Sequence, residues 1–243
     1  MNLINELLQE NGKLHFSLID PVSQPPEEAG EMAGLCEEFG TDAIMVGGST
    51  VNDRRIVYDT IETIKKNVRL PVILFPNSAE SIAENVDYIF FMMLLNSLED
   101  RYRGEEQARG ATLIKKWGIK PIPMGYMVIS TSRKPTTVER RVKLDKIHAS
   151  DIEKAVSYAL YTESSGMGCV YLDAGSGAER PVPNGMIQAV RDNVDIPIII
   201  GGGIRDGDTA REKIDAGADV IVTGTVVEKD RRAIEEIVRK IRV

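Results

Sequence analysis

The feature that most constrains this chain is a recurring phrase, a short polar turn that runs straight into an unbroken apolar segment. Gly40-Thr41-Asp42 leads into Ala43-Ile44-Met45-Val46-Gly47, and Gly217-Ala218-Asp219 leads into Val220-Ile221-Val222-Thr223-Gly224. A looser copy is Asn85-Val86-Asp87 before Tyr88-Ile89-Phe90-Phe91-Met92. Each reads as a helix stop, a turn and a strand. A second phrase sets proline before a strand, in Leu70-Pro71-Val72-Ile73-Leu74-Phe75 and Ile196-Pro197-Ile198-Ile199-Ile200, where the missing N–H costs no ladder bond. The apolar runs are continuous rather than alternating, so these strands are buried on both faces, as in a parallel sheet covered by helices.

Followed along the chain, the pattern predicts strands near 14–19, 43–47, 72–75, 88–93, 124–129, 169–173, 198–201 and 220–223. Amphipathic stretches separate them, near 27–39, 52–66, 79–84, 103–117, 151–164, 183–192, 207–216 and 229–241, after a short leading helix from Asn2 to Glu10. Ser150 with Glu153 reads as a capping box, and Pro183 as the first residue of its helix. Eight strand–helix units, without the early glycine fingerprint of a doubly wound sheet, predict one (β/α)8 barrel domain over residues 1–243. The least regular stretch runs from Ser130 to Ile147 and carries Arg133, Lys134, Arg140, Arg141 and Lys143. It reads either as a lid or substrate loop or as a solvated basic loop.

Composition serves mainly to exclude. A net charge of −7 argues against an extended nucleic-acid footprint but leaves room for one anionic ligand held by local dipoles. The polar N-terminus is unlike a signal peptide, and no apolar run approaches the roughly 20 residues that span a bilayer, so the chain reads as cytoplasmic. Cys36 and Cys169 have no motif spacing and are expected buried and reduced. His15 and His148 are isolated, which favours no metal cluster, and Trp117 is expected to pack locally.

In a barrel the reacting groups lie at the C-terminal strand ends and in the loops that follow. The sixth strand ends Tyr171-Leu172-Asp173-Ala174-Gly175-Ser176-Gly177-Ala178, the seventh Gly201-Gly202-Gly203-Ile204-Arg205, and the eighth Thr223-Gly224-Thr225. Glycine lets backbone N–H groups approach phosphate oxygens, and a following helix N-terminus favours negative charge. Three consecutive strand ends of this kind point to a phosphate site. Asp20, in Ile19-Asp20-Pro21 after the first strand, suits a general base or a Mg2+ ligand, with Ser49 of Gly47-Gly48-Ser49-Thr50 beside it; the same residues also suit plain turn capping. Asp173 is the second carboxylate at the mouth and can accept a hydroxyl proton or simply hold loop amides.

Taken together these segments resemble the geranylgeranylglyceryl phosphate synthase family, prenyltransferases of archaeal ether-lipid biosynthesis with bacterial heptaprenylglyceryl phosphate synthase relatives. The resemblance rests on Leu18-Ile19-Asp20-Pro21, Gly40 to Ser49, Pro123-Met124-Gly125-Tyr126, Tyr171 to Gly177, Gly201 to Arg205 and Val222-Thr223-Gly224-Thr225. It implies transfer of a geranylgeranyl group from its diphosphate to the C3 hydroxyl of sn-glycerol 1-phosphate, with diphosphate released. It further implies Mg2+ at Asp20 and Ser49, and glycerol phosphate held by Tyr171, Leu172, Asp173, Ala174, Gly175, Ser176, Gly177, Gly202, Gly203, Gly224 and Thr225. Asp173 would take the hydroxyl proton and Tyr171 would orient it or shield the developing cation. The prenyl tail would lie in an apolar groove involving Tyr126 and strands three to five. A homo-oligomer, transient membrane contact and no nucleic-acid partner complete the expectation.

Two positions depart from the family pattern. Asp173 stands where a glutamate is common, one methylene shorter, and Leu18 stands where the bacterial branch has a lysine. Two other readings stay open at this stage: a sugar-phosphate isomerase or aldolase, whose Schiff-base form is weakened by the lack of a strand lysine apart from Lys13, and a barrel that only binds a phosphorylated metabolite.

Overall fold

In the computed structural model, whose described residues are 3–224 and 232–242, eight parallel strands close into a barrel. The strands are β1 (Leu14–Ile19), β2 (Ala43–Gly47), β3 (Val72–Phe75), β4 (Tyr88–Leu94), β5 (Lys120–Ser130), β6 (Cys169–Asp173), β7 (Ile198–Gly201) and β8 (Val220–Thr223). β1 pairs with both β2 and β8, and β4 with β5, so no barrel edge is left open. The helices are α1 (Leu3–Asn11), α2 (Pro26–Glu38), α3 (Arg54–Asn67), α4 (Glu105–Trp117), α5 (Thr137–Arg141), α6 (Ile152–Ser164), α7 (Asn184–Arg191), α8 (Gly207–Asp215) and α9 (Arg232–Ile241). None of the described helices is long and apolar enough to cross a membrane.

Continuous apolar strands are explained by a core on each side of the sheet. Phe16, Met45, Ile73, Phe90, Met124, Ile199 and Val222 fill the barrel interior, and Leu3 and Ile4 of α1 join them. Their chain neighbours face the helices: Ile44, Val46 and Leu74 pack against α2 and α3, and Leu172, Ile200 and Ile221 against the helices of the other half. Cys36 and Cys169 are buried free thiols, and burial pushes Cys36 up to about 11. Trp117 packs against the α2–α3 side with the Arg54 guanidinium 5.1 Å from its ring centroid, and Gly118 ends α4 at φ 67.

The structure corrects four local expectations. The helix anticipated near 79–84 is a single 3-10 turn, Ala79–Ser81, because the twelve residues 76–87 between β3 and β4 are too few for a full helix and two connections. That turn is pinned to α4 by buried Glu106, which accepts from the Ala79 amide at 2.7 Å and from Arg101 at 2.8 Å. Ser150 and Glu153 form no capping box; Asp151 occupies the N-cap and spends its carboxylate on the His148 amide at 2.8 Å. Pro183 precedes α7 as its N-cap rather than opening it. β5 begins at Lys120, earlier than expected, but this lysine is exposed at the strand's N-terminal end, far along the strand from the mouth.

The stretch 130–147 is more ordered than its sequence suggested. It contains α5, started by a complete capping box between Thr136 and Glu139, and closes with a two-residue strand, Ile147–His148, beside the end of β5.

Candidate active site

The three glycine-rich strand ends converge. Gly175, Gly177, Gly202 and Gly203 all hold φ between 74 and 88, a region that strains any residue with a Cβ. A Cβ on Gly202 would stand 2.6 Å from the Gly175 nitrogen and 2.9 Å from Asp173 Oδ1, so the turns after β6 and β7 touch. A Cβ on Gly203 would meet the Arg180–Pro181 backbone at 2.7 Å. These turns border a mouth cavity of about 610 Å3 lined by Asp20, Ser49, Tyr171, Asp173, Ser176, Gly177, Gly202, Gly203 and Gly224, among others.

Not every loop amide is available to a ligand. The Ala174 N–H donates to the Gly201 carbonyl at 3.0 Å, and the Gly175 N–H to Asp173 Oδ1 at 2.7 Å. No backbone group among the described residues accepts from the amides of Gly177, Gly202 or Gly203. Leu172 and Ala174 pack outward into the helix-side core, so they serve the site through backbone position alone. Thr225 lies outside the described residues.

Asp173 sits at the floor of this cavity with both oxygens engaged. Oδ1 takes the Gly175 amide, and Oδ2 takes the Tyr126 hydroxyl at 2.6 Å. Each oxygen keeps a second lone pair that can accept from a bound hydroxyl. Burial raises the carboxyl above its usual range, against the opposing effect of those two donors, which moves it toward a better proton acceptor. The phenols of Tyr126 and Tyr171 are pushed up by burial and by the Asp173 charge, so both stay protonated. The Tyr171 hydroxyl rests on Gly201, where a Cβ would be 2.1 Å away.

Asp20 stands across the mouth. Its Oδ1 accepts the Val22 amide at 2.9 Å, while Oδ2 lies against Gly48, where a Cβ would be only 2.3 Å away. Glycine before Ser49 therefore lets the carboxylate of β1 and the hydroxyl-bearing loop of β2 share one corner. Burial raises Asp20, countered by the amides of Val22 and Ser23. One carboxylate and one hydroxyl are too few to cage an ion alone, and the described residues hold no cluster of three His, Cys, Asp or Glu side chains. The set does fit a hard cation that takes its other oxygens from phosphate and water, as Mg2+ does.

A second cavity, of about 400 Å3, opens off the first. Gly48, Ser49, Phe75, Tyr126 and Val138 line both. It runs between β3, β4 and α4, walled by Ile82, Ile89, Phe90, Met92 and Ile114, over the place where the short 3-10 turn replaces a full helix. At the junction Phe75, Tyr126 and Tyr171 form an aromatic wall, with ring centroids 5.3–5.9 Å apart. Arg141, from α5, also reaches the junction and donates to the Ser49 carbonyl at 2.8 Å.

The sequence reading thus brought Asp20, Ser49, Tyr171, Asp173 and the glycine turns to one mouth. It missed the link from Tyr126 to Asp173 and the placement of Arg141. The former had a usable signal, because Tyr126 pairs directly with Tyr171 across β5 and β6. The latter had none, since it depends on the path of a long loop.

A family model described as the PcrB family matches residues 5–241. A geranylgeranylglyceryl phosphate synthase of Pyrococcus horikoshii is 46% identical over 96% of this chain and 90% of its own length. The crystal structure of (S)-3-O-geranylgeranylglyceryl phosphate synthase from Thermoplasma acidophilum, in complex with substrate sn-glycerol-1-phosphate, superimposes with a TM-score of 0.93 at 40% identity, covering 100% of this chain and 99% of that one. An N-acetylmannosamine-6-phosphate 2-epimerase from Clostridium perfringens, at 15% identity and TM-score 0.59 over 93% of this chain and 91% of that one, shares the fold alone.

Proposed function

The chain belongs to the PcrB family, and from that premise we propose that it joins a geranylgeranyl group, through an ether bond, to the C3 hydroxyl of sn-glycerol 1-phosphate and releases diphosphate. One observation carries the reading: a polar, glycine-rimmed mouth and an apolar groove meet at Phe75, Tyr126 and Val138, beside the Asp173 carboxylate. A phosphorylated polyol and a long apolar chain each find a matching surface, and their reactive ends are brought to the same place.

The division of labour follows from the residues. Gly177, Gly202, Gly203 and Gly224 present backbone toward the acceptor phosphate and fix where the glycerol lies. Fixing two substrates in contact is worth several orders of magnitude in rate. Phe75, Ile82, Ile89, Phe90, Met92 and Ile114 hold the prenyl tail and exclude water from it. Asp20 and Ser49 would hold Mg2+, and Arg141 meets the donor diphosphate at the mouth of the groove. Bound there, Mg2+ supplies neutralisation of the charge on the departing diphosphate.

As the acceptor oxygen bonds to C1 of the prenyl group, the C1–O bond to diphosphate breaks with its electron pair, and the hydroxyl proton passes to Asp173. Aromatic faces of Phe75, Tyr126 and Tyr171 stabilise positive charge developing at C1. The shorter aspartate works here because Tyr126 and the Gly175 amide hold its carboxylate in the mouth.

The test is release of diphosphate by the purified protein with Mg2+. Release that requires both sn-glycerol 1-phosphate and the prenyl donor supports the reading. Release from the donor alone at the same rate, or none with both, rejects it.

A further inference from the structure

The loop carrying α5 is a strap laid across the mouth, and its charge is opposite to that of the rest of the protein. Thr131 Oγ1 donates to the Arg180 carbonyl at 2.6 Å, and the Glu179 amide donates to Ser132 Oγ at 2.8 Å, which ties the strap to the turn after β6. Arg141 ties it to the turn after β2, and the Leu98 amide, donating to the Lys143 carbonyl at 2.8 Å, ties it to the loop after β4. Along it, Arg133, Lys134, Arg140, Arg141, Lys143 and Lys146 are all exposed. Among the described residues none of the six has a carboxylate within ion-pair distance.

Of the strap's two acidic residues, only Glu139 acts on one of these cations, Lys146, and it does so through space rather than as an ion pair. Glu139 is turned inward onto Ser130 and Thr136, and Asp145 pairs with Lys154 at 2.7 Å. Of the other carboxylates on the rim, Asp100 pairs with Arg103, and Asp53 and Asp206 accept backbone amides as the N-caps of α3 and α8. A chain of net charge −7 thus gathers six exposed cations on one strap at the opening of its lipid-sized groove.

The most exposed large apolar side chains lie on the same face. Val22, 56% exposed, sits in the loop after β1, two residues from Asp20, and Leu98, 55% exposed, sits in the loop after β4 where the strap crosses. Exposed apolar tips beside clustered cations are the combination that seats a protein on an anionic lipid surface.

We infer that the barrel mouth docks on an anionic bilayer, with Arg133, Lys134 and Arg140 of the strap meeting lipid phosphates and with Val22 and Leu98 entering the interface. This rests on the proposed function only for its purpose, since such docking would let donor and product tails move between bilayer and groove without crossing water.

The experiment uses the full chain without substrates, in flotation with vesicles of phosphatidylglycerol and phosphatidylcholine and with vesicles of phosphatidylcholine alone. Binding is expected to the anionic vesicles, falling as salt rises. Combined Arg133→Gln, Lys134→Gln and Arg140→Gln should weaken it roughly fivefold per cation, about a hundredfold in all. Lys65→Gln with Lys66→Gln, at the C-terminal end of α3, should leave it unchanged. Leu98→Ser with Val22→Ser should weaken it while keeping its salt dependence. The triple variant should retain full turnover of a water-soluble short-chain donor, which also shows that it folds.

Equal binding to neutral vesicles, no loss in the triple variant, or loss of soluble-donor turnover along with vesicle binding would overturn the proposal. So would concentration-dependent self-association that Leu98→Ser and Val22→Ser abolish in a protein that binds no vesicle, for the rim would then join two copies. Vesicle binding by a protein that forms no ether would leave the docking intact and remove the function instead.

Discussion

The Tyr126 hydroxyl donates to Asp173 Oδ2 at 2.6 Å in a buried pocket, and this bond holds the shortened carboxylate at the junction of mouth and groove. The donation favours the ionised carboxylate, whereas burial favours the protonated one. In Tyr126→Phe the ring of the aromatic wall remains while the donor is lost, so the protonated form of Asp173 gains. The acid limb of kcat/KM should move to higher pH, with KM for the prenyl donor nearly unchanged. A pH–rate profile checks this; an acid limb that stays in place would detach Tyr126 from the base.

Asp173→Asn keeps the shape and removes the proton acceptor. A general base contributes typically 10²–10⁴-fold, so kcat should fall by about that factor while glycerol phosphate still binds. Steady-state rates together with calorimetric binding separate the two effects.

Gly202→Ala places a Cβ 2.6 Å from the Gly175 nitrogen at φ 79. The turn after β7 must give way, which should raise KM for glycerol phosphate more than KM for the donor and cost about 1–3 kcal/mol of stability. Substrate titrations and denaturant melts of the variant measure both.

The barrel itself was legible because parallel strands buried on both faces leave continuous apolar runs, with Gly-x-Asp turns before β2 and β8 and prolines before β3 and β7 marking where those strands begin. The glycine turns and the two mouth carboxylates were legible because a barrel fixes where strand ends point. Contacts between distant segments left no such trace. The 3-10 turn in place of a helix follows from a short connection, yet the apolar groove it opens depends on how Ile82 and α4 pack. Ser150 and Glu153 had the spacing of a capping box, but Asp151 took the N-cap and the box formed instead at Thr136 and Glu139.

Groove length gives a further prediction. Gly110 of α4 faces Ile82, and a Cβ there would lie 2.8 Å from its Cδ1. Gly110→Leu should narrow the groove and shift preference toward shorter prenyl donors. A competition among donors of graded length, read by product analysis, decides it; an unchanged preference would place the tail elsewhere.

His15 is fully buried between Thr41 and Thr223, and burial, aided by Arg242, lowers it from 6.5 to about 3. Between those values the unfolded chain binds a proton that the folded chain does not, so stability falls as pH falls, by up to about 1.4 kcal/mol per pH unit from this group. In His15→Gln that share of the acid-side slope should vanish in unfolding measurements across the same range.

The most direct measurement is a crystal structure of this protein with sn-glycerol 1-phosphate bound. The phosphate should lie against the turns of Gly177, Gly202, Gly203 and Gly224, with the C3 hydroxyl within hydrogen-bond reach of Asp173 and facing the aromatic junction. A phosphate seated elsewhere, or a C3 hydroxyl turned away from Asp173 and the groove, would contradict the assignment of this mouth as the place where the ether bond forms.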